Sequence, residues 1–553
     1  MDTKQPRRTL LGMLITAGAA VKAAGVDQAT AVKAAASDEG TAKLVLTGGS
    51  GAQQRANDAF RLRRNLALLQ RDQPVIQPRT NGDEQLYPNY IGNYSKGLPH
   101  NALGEVDPSA YAAFLQATGS GENADYEAIP LGGKAKLADP QAGYAYDLIG
   151  KDSHKHFLTP PPALASAEVS CEMVELYWQA LTRDVPFSQF RTDPTILNAV
   201  SDLNVLSAFT GPKQNGRVTT DTLFRGATPG DLNGPYVSQF LYRDVPYGPS
   251  TIVQKYRTPR AGIDFLTGYG EWLSVQNGNP ATMGFSFNDA PRYIVNQRDL
   301  TWFVHQDFSF QAYLNACLVL LSTGGAPVSD SNPYRTSKTQ GGFSTFGAPH
   351  ILDLVTNFAN AGLRAAWYGK WQVHRRLRPE AFGGLIHNHL TGGAKYPIEK
   401  SVLNSAALKA SAAAFGTYLH PSAYPEGSPT HPAYTAGHAV IAGACVTALK
   451  AFFNEMAVVT NPVVPSDDGQ TLVPYTSGVL TVGDELNKLA ANVSLARNAA
   501  GVHYRSDGIN GLLLGESVAI GMLRDLASTY TEPFQGFNFT KFDGSRASIC
   551  PQC

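Results

Sequence analysis

The chain has 553 residues, of which 43% are apolar and 16% charged, a balance that supplies a well-buried core and excludes a wholly disordered protein. Forty-five Lys and Arg offset forty-five Asp and Glu. The resulting zero net charge argues against nucleic acid or a membrane surface as partner and leaves a small molecule as the expected substrate.

In chain order, residues 1–48 read as an export leader and linker. Arg7-Arg8 precede a modest apolar stretch, Leu10 to Ile15, and then small residues through Ala24, a twin-arginine-like signal with Ala-rich cleavage sites. If the leader acts, the mature protein is periplasmic or extracellular; if it does not, cytoplasmic. A helical pattern opens near Arg55, and residues 49–300 are expected to form an amino-terminal helical half. Within it, residues 75–165 are rich in Pro, Gly, Asn and Asp and read as long segments wrapped on a core.

Helical spacing recurs at Met173, Leu176, Tyr177, Ala180 and Leu181, at Ile351, Leu354, Val355 and Phe358, and at Ile441, Ala444, Cys445, Ala448 and Phe452. Leu486, Leu489, Ala490 and Val493 repeat it, and Leu512 to Leu523 is apolar almost all round. The fold class expected is all-α, two four-helix-bundle-like halves packed as one large unit, with a few short β-hairpins in the middle. The second half, 301–553, is the carboxy-terminal bundle. Two runs without charged residues, Phe308 to Ser329 and Gly427 to Leu449, are broken by Gly, Pro and polar residues, so no membrane span is expected. Of the five cysteines, Cys317 and Cys445 sit in apolar runs and read as core, and the tail pair Cys550 and Cys553 lacks the helix-start context of a redox motif.

Three segments of the second half carry chemistry. The first runs from Lys370 to Pro379 at the end of a helix begun near His350; Pro379 disfavours helical geometry at Arg378, and Lys370 and Arg378, eight residues apart, can converge on one anion. Alone, such a basic helix face is usually solvated surface. The second, Glu426 to His438, ends in a Gly-containing turn that opens a helix, an arrangement whose free N–H groups and dipole attract oxyanions, with His438 at the rim. In the third, Arg497 and His503 are six residues apart and would face different ways on an unbroken helix; Gly501 is placed to break it, and Asp507, four residues beyond His503, can orient the ring. Three cations, a helix start and two histidines suit a tetrahedral dianion.

This set resembles the three-part signature of the type 2 phosphatidic acid phosphatase superfamily: Lys, a spacer and Arg-Pro; Ser-Gly-His; then Arg, five residues and His. The spacer between Lys370 and Arg378 has seven residues, as in algal haloperoxidases, where the wider superfamily has six. Within the superfamily the chain is similar over most of its length to the vanadium-dependent bromoperoxidases of red algae and their bacterial relatives, through Asn93 to His100, Gly104 to Pro108, Ala180 to Arg183, His374 to Ala381, Gly483 to Ala490 and Lys541 to Gly544. The resemblance implies one vanadate per subunit, with His503 its sole protein metal ligand and Lys370, Arg378, Arg497 and the Gly437 N–H on its oxygens. It implies catalysis by His438, taking a proton from hydrogen peroxide, by Lys370, polarising the bound peroxide for halide attack, and by His503. The product is a hypohalous-acid equivalent, from bromide first and chloride second, that halogenates an organic acceptor. His431 matches a further pocket histidine, and family members form homo-oligomers from dimers to dodecamers.

The chain departs from the pattern at three places. Ala436 stands where the superfamily has Ser, which removes one hydrogen bond to the anion. Trp367, one turn before Lys370, stands where algal enzymes have Arg and chloroperoxidases Trp; at the pocket mouth it would dry the halide site, and otherwise it is core. Algal relatives bind a structural calcium ahead of the Lys helix, but Ser329 to Gly342 offers only Asp330 as a carboxylate. The alternative reading is an acid phosphatase of the same superfamily, with His503 as nucleophile; the long amino-terminal half argues against it. A non-catalytic oxyanion binder, favoured only by Ala436, is a third.

Overall fold

The computed structural model describes residues 51–322 and 328–550. The leader expected over 1–48, and Cys553 of the tail pair, lie outside the described residues. Contacts divide the chain between Arg63 and Arg64. The described residues of the first unit are the opening turns of α1 (Ala52–Arg71), rich in the strong helix formers Ala, Arg, Gln and Leu.

Within the second unit, helices start where the sequence supplies caps. The Asp107 carboxylate accepts from Ser109 N and Ala110 N ahead of α2 (Pro108–Ser120), Ser166 accepts from Val169 N at α3 (Ala167–Leu181), and Asp193 serves α4 (Pro194–Asn204). Pro at the first turn of α2 and α4 costs nothing, because that N–H has no helical partner. One group of helices combines α5 (Gln297–Gln306), α6 (Gln311–Leu321), α7 (Ala348–Trp367), α10 (Gly437–Phe452), α11 (Val482–Ala499) and α12 (Arg505–Ala527) around a shared apolar core. A second core gathers α3 and α4 with α8 (Pro379–Thr391) and α9 (Ala406–Phe415). The two cores therefore draw on both sides of residue 300.

Helix α10 is the axis of the first group and is buried at every position except His438. Its small residues let neighbours approach closely: a Cβ at Gly443 would overlap the backbone of Leu512 in α12, and one at Gly515 would overlap Val440 O. Three antiparallel hairpins occur among the described residues: β1 (Val245–Tyr247) with β2 (Ser250–Ile252), β3 (Val463–Pro465) with β4 (Leu472–Pro474), and β5 (Phe537–Thr540) with β6 (Arg546–Ile549). The mainly helical class is as read from the sequence. Only the first hairpin lies mid-chain, however; β3 to β6 are short, partly exposed ribbons whose pairing comes from local turns that left no long alternating pattern to read. Among the described residues, no helix is long and apolar enough to cross a membrane.

Candidate active site

The three segments meet below a cavity of about 410 Å³ whose floor includes His431, Gly437, His438, Arg497 and His503. Lys370 and Arg378 reach this point by a route other than two turns of one helix. After Trp367, α7 widens into a π-helical turn, Tyr368–His374, and Arg375 then takes a left-handed backbone, φ 41°. The bend is held from outside: Arg375 Nε donates to Glu84 Oε1 at 2.7 Å and its Nη2 to Glu84 Oε2 at 2.6 Å. Pro379 keeps Arg378 extended, at φ −86° and ψ 155°, at the start of α8. The chain thus folds back, and both cations point to one centre.

Lys370 is 0% exposed, and its Nζ donates to the carbonyls of Pro432 and Ala433 at 2.7 and 2.8 Å. Arg378, 1% exposed, donates to Val502 O and His431 O, and its Nη1 lies 3.0 and 3.4 Å from Nε2 and Nδ1 of His503. Arg497, 6% exposed, donates through Nη1 to Val304 O and the Tyr424 hydroxyl, while its Nε is buried without a partner. None of the three forms an ion pair among the described residues. Other buried arginines do: Arg183 with Asp264, Arg376 with Glu172 and Asp507, Arg505 with Glu175. Arg225 and Lys450 also lack one, but each sits among carbonyls away from this cluster. Three buried cations gathered here without an ion pair among the described residues suit an anion from outside the chain.

Burial and neighbouring positive charge lower the proton affinities of Lys370 and Arg378. Burial and then the Arg378 charge push the Lys370 ammonium well below its ordinary range, and burial together with Arg497 lowers Arg378 to about 10. Burial, followed by Arg378, Lys370 and Arg497, also drives His503 well below the usual imidazole value, so its ring is neutral. His431 is held neutral in the same way by burial, Lys370 and Arg378.

The ring of His503 is oriented on both sides. Gly501, at φ 83°, ends α11 and turns the chain back, and the buried His420 ring leaves no room there for a side chain, since a Cβ would lie 2.7 Å from His420 Cε1. His503 Nδ1 stands 2.9 Å from Asp507 Oδ2. Because a carboxylate only accepts, the contact with Asp507 places the proton on Nδ1, while Arg378 Nη1, 3.0 Å from Nε2 and 3.4 Å from Nδ1, lies across the ring. Nε2 therefore presents a lone pair to the cavity. Asp507 is fixed in turn by Arg376 Nη1 at 2.6 Å, and Arg376 by Glu172 at 3.0 Å.

At the start of α10, Ala436 is fully buried and offers no capping side chain, so the Gly437 and His438 amides are left for another acceptor. His438 is half-buried at the cavity wall, with Nε2 3.0 Å from Asp307 Oδ1. Trp367 also lines the cavity; its indole N–H donates to Ala138 O at 3.1 Å, and its ring centre stands 4.7 Å from that of His431. Asp330 is taken up by Arg335, and no cluster of three or more His, Cys, Asp or Glu suited to a metal ion occurs among the described residues.

Sequence reasoning missed Asp307, Tyr424 and the pair Arg376 and Glu172. Asp307 is 131 residues from its histidine partner, at the end of α5, where no motif marks it.

These features define a helical-bundle protein with a buried, electropositive oxyanion site. Residues 354–532 match the family model described as the VCPO second helical-bundle domain. A vanadium-dependent bromoperoxidase of Corallina pilulifera is 36% identical, the match covering 90% of this chain and 99% of that protein; one from Ascophyllum nodosum is 34% identical over 84% and 86%. The homohexameric structure of a second vanadate-dependent bromoperoxidase from A. nodosum superposes with a TM-score of 0.87 at 31% identity, covering 92% of this chain and 94% of that one. The chain belongs to the vanadium-dependent bromoperoxidase family.

Proposed function

We propose that the chain is a vanadium-dependent haloperoxidase that uses hydrogen peroxide to oxidise halide, bromide in the first place, to a hypohalous-acid equivalent that halogenates organic acceptors. The observation that carries this reading is the gathering of Lys370, Arg378 and Arg497, buried and without an ion-pair partner among the described residues, around the ring of His503, whose Nδ1 faces Asp507. The donor set fits vanadate: three cations and the Gly437 amide suit its oxygens, Arg497 Nε is orphaned until an acceptor arrives, and a neutral imidazole nitrogen suits the metal. Bound there, one vanadate per chain supplies Lewis-acid activation of peroxide without a change of oxidation state.

The side chains do the rest. His503 binds through Nε2, and Asp507, clamped by Arg376, keeps its proton on Nδ1. His438, paired with Asp307 at the cavity wall, would accept a proton from incoming peroxide on the ring nitrogen that Asp307 leaves free. Lys370 would hold positive charge beside the oxygens of the bound group, where it favours oxidation of halide. Trp367 and His431 line the halide approach. We further assign the protein to a homo-oligomer, in line with the homohexamer of its structural relative, and to the exported compartment, on the strength of the twin-arginine-like leader.

The test is bromination of monochlorodimedone by purified protein with peroxide and bromide, before and after orthovanadate. Activity that appears only with vanadate, and is lost in His503→Ala, is expected. Vanadate-inhibited hydrolysis of a phosphate ester without bromination would instead establish the phosphatase.

A further inference from the structure

Behind the Nδ1 edge of His503 runs a line of buried charges that begins in the amino-terminal half of the chain. Asp507 Oδ2 stands 2.9 Å from His503 Nδ1, and Asp507 Oδ1 accepts from Arg376 Nη1 at 2.6 Å. The other end of the guanidinium, Nη2, donates to Glu172 Oε2 at 3.0 Å. The second oxygen of Glu172 accepts from Ser506 N at 2.5 Å, and Ser506 Oγ accepts from Arg376 Nη1 at 2.8 Å. Glu172 is 3% exposed and lies on α3, whose apolar side chains belong to the second helical core. A residue of that core therefore bears on the histidine through two intervening side chains.

The charge count gives this line a role beyond packing. One guanidinium lies between two carboxylates, so the hydrogen-bonded trio Glu172, Arg376 and Asp507 carries one net negative charge. With Glu172 uncharged, Arg376 and Asp507 would neutralise each other, and Asp507 would pull less on the Nδ1 proton of His503. In a buried network such polarisation passes from link to link with little screening. A carboxylate that draws harder on Nδ1–H makes the opposite nitrogen, Nε2, a stronger donor to a metal.

The same helix supplies an internal control. Glu175, one turn beyond Glu172 and 1% exposed, is paired with Arg505 through both of its oxygens. Arg505 also donates to Arg225 O, and among the described residues it has no hydrogen bond to Asp507 or His503. Two buried carboxylates of α3 thus fasten the same Arg505–Asp507 turn, but one of them is linked to the histidine and the other is not.

We propose that Glu172 is a positioning residue for the metal bond: acting through Arg376 and Asp507, it strengthens His503 Nε2 as a donor to the metal of a bound oxyanion that it does not itself touch. The inference rests on the vanadate reading and deepens it.

The test compares orthovanadate with inorganic phosphate by equilibrium dialysis, on the parent, Glu172→Gln and Glu175→Gln. Both are tetrahedral oxyanions that Lys370, Arg378 and Arg497 can hold, but phosphate has no metal to take the Nε2 lone pair. A direct partner of a metal-bound histidine is worth about tenfold to a hundredfold in affinity; Glu172 stands two links back, so Glu172→Gln is expected to weaken vanadate about threefold to tenfold and phosphate by less than about twofold. Glu175→Gln is expected to leave both affinities as in the parent. Glu172→Asp keeps the charge but draws it back by one methylene; it is expected to show the same vanadate-only loss at about twofold, and it serves if the Gln variant does not fold. Unchanged vanadate affinity in the Glu172 variants, equal losses for vanadate and phosphate, or an equal vanadate loss in Glu175→Gln would each reduce Glu172 to a packing role and overturn the proposal. A parent that binds vanadate no tighter than phosphate would overturn the vanadate reading itself, and the proposal with it.

Discussion

Restoring a hydroxyl at position 436 separates two consequences of the missing serine. Ala436 occupies the N-cap of α10 with φ −65° and ψ 118°, a conformation from which a Ser side chain accepts from the second or third amide of the helix. Such a cap is worth about 1 kcal/mol of stability whether or not an anion is bound. The same hydroxyl carries one proton to donate, and toward a charged oxyanion that bond is worth about 1.5–3 kcal/mol. At about 1.4 kcal/mol per decade, Ala436→Ser is expected to tighten orthovanadate binding by about tenfold to a hundredfold. The assay is equilibrium dialysis of vanadate against parent and variant, with thermal unfolding of the vanadate-free proteins alongside. Because Ala436 is fully buried, a fall in Tm would mean that the hydroxyl does not fit. A rise in Tm with unchanged vanadate affinity would refute the placement of the helix start against the anion.

Three further outcomes follow from the geometry. Asp507→Ala removes the partner of both His503 Nδ1 and Arg376 and is expected to weaken vanadate binding about tenfold to a hundredfold and to lower stability by about 3–5 kcal/mol, read by dialysis and urea unfolding. His374 and His420 are buried without hydrogen-bond partners and both are pushed down to about 3, mainly by burial. Their neutral forms are favoured in the folded state, so stability is full above the unfolded value of about 6.5 and falls as pH drops toward 3; about 2 kcal/mol per ring should be gone by pH 5, measured as a Tm that falls with acidification and falls less in His420→Phe. Gly515→Ala forces a methyl group into Val440 O and should cost about 3 kcal/mol by chemical unfolding; an unchanged midpoint would mean that α10 and α12 are not packed this closely.

The parts of the site that sequence made legible are those carried by local rules. The helix-opening glycine before His438, the break at Gly501, the extended Arg378 before Pro379 and the i, i+4 relation of His503 to Asp507 each follow from a few neighbouring residues. What stayed hidden depends on partners far along the chain. The left-handed Arg375 is stabilised by Glu84, 291 residues away, and without it the fold-back that joins Lys370 to Arg378 reads as a continuous helix. Asp307, Tyr424 and His305 come from elements with no chemical motif of their own and become pocket residues only through packing. The two helical cores could not be divided by sequence position either, because α8 and α9 pair with α3 and α4 across some two hundred residues, a tertiary arrangement that amphipathic spacing does not encode.

The most direct test of the oxyanion site is vanadium X-ray absorption on the orthovanadate-loaded protein and on His503→Ala. One vanadium per chain with a single nitrogen neighbour, absent in the variant, is the expected result. A loaded protein with only oxygen around the metal, or a spectrum unchanged by the substitution, would contradict ligation by His503 and with it the assignment of Lys370, Arg378 and Arg497 as the cradle of a metal oxyanion.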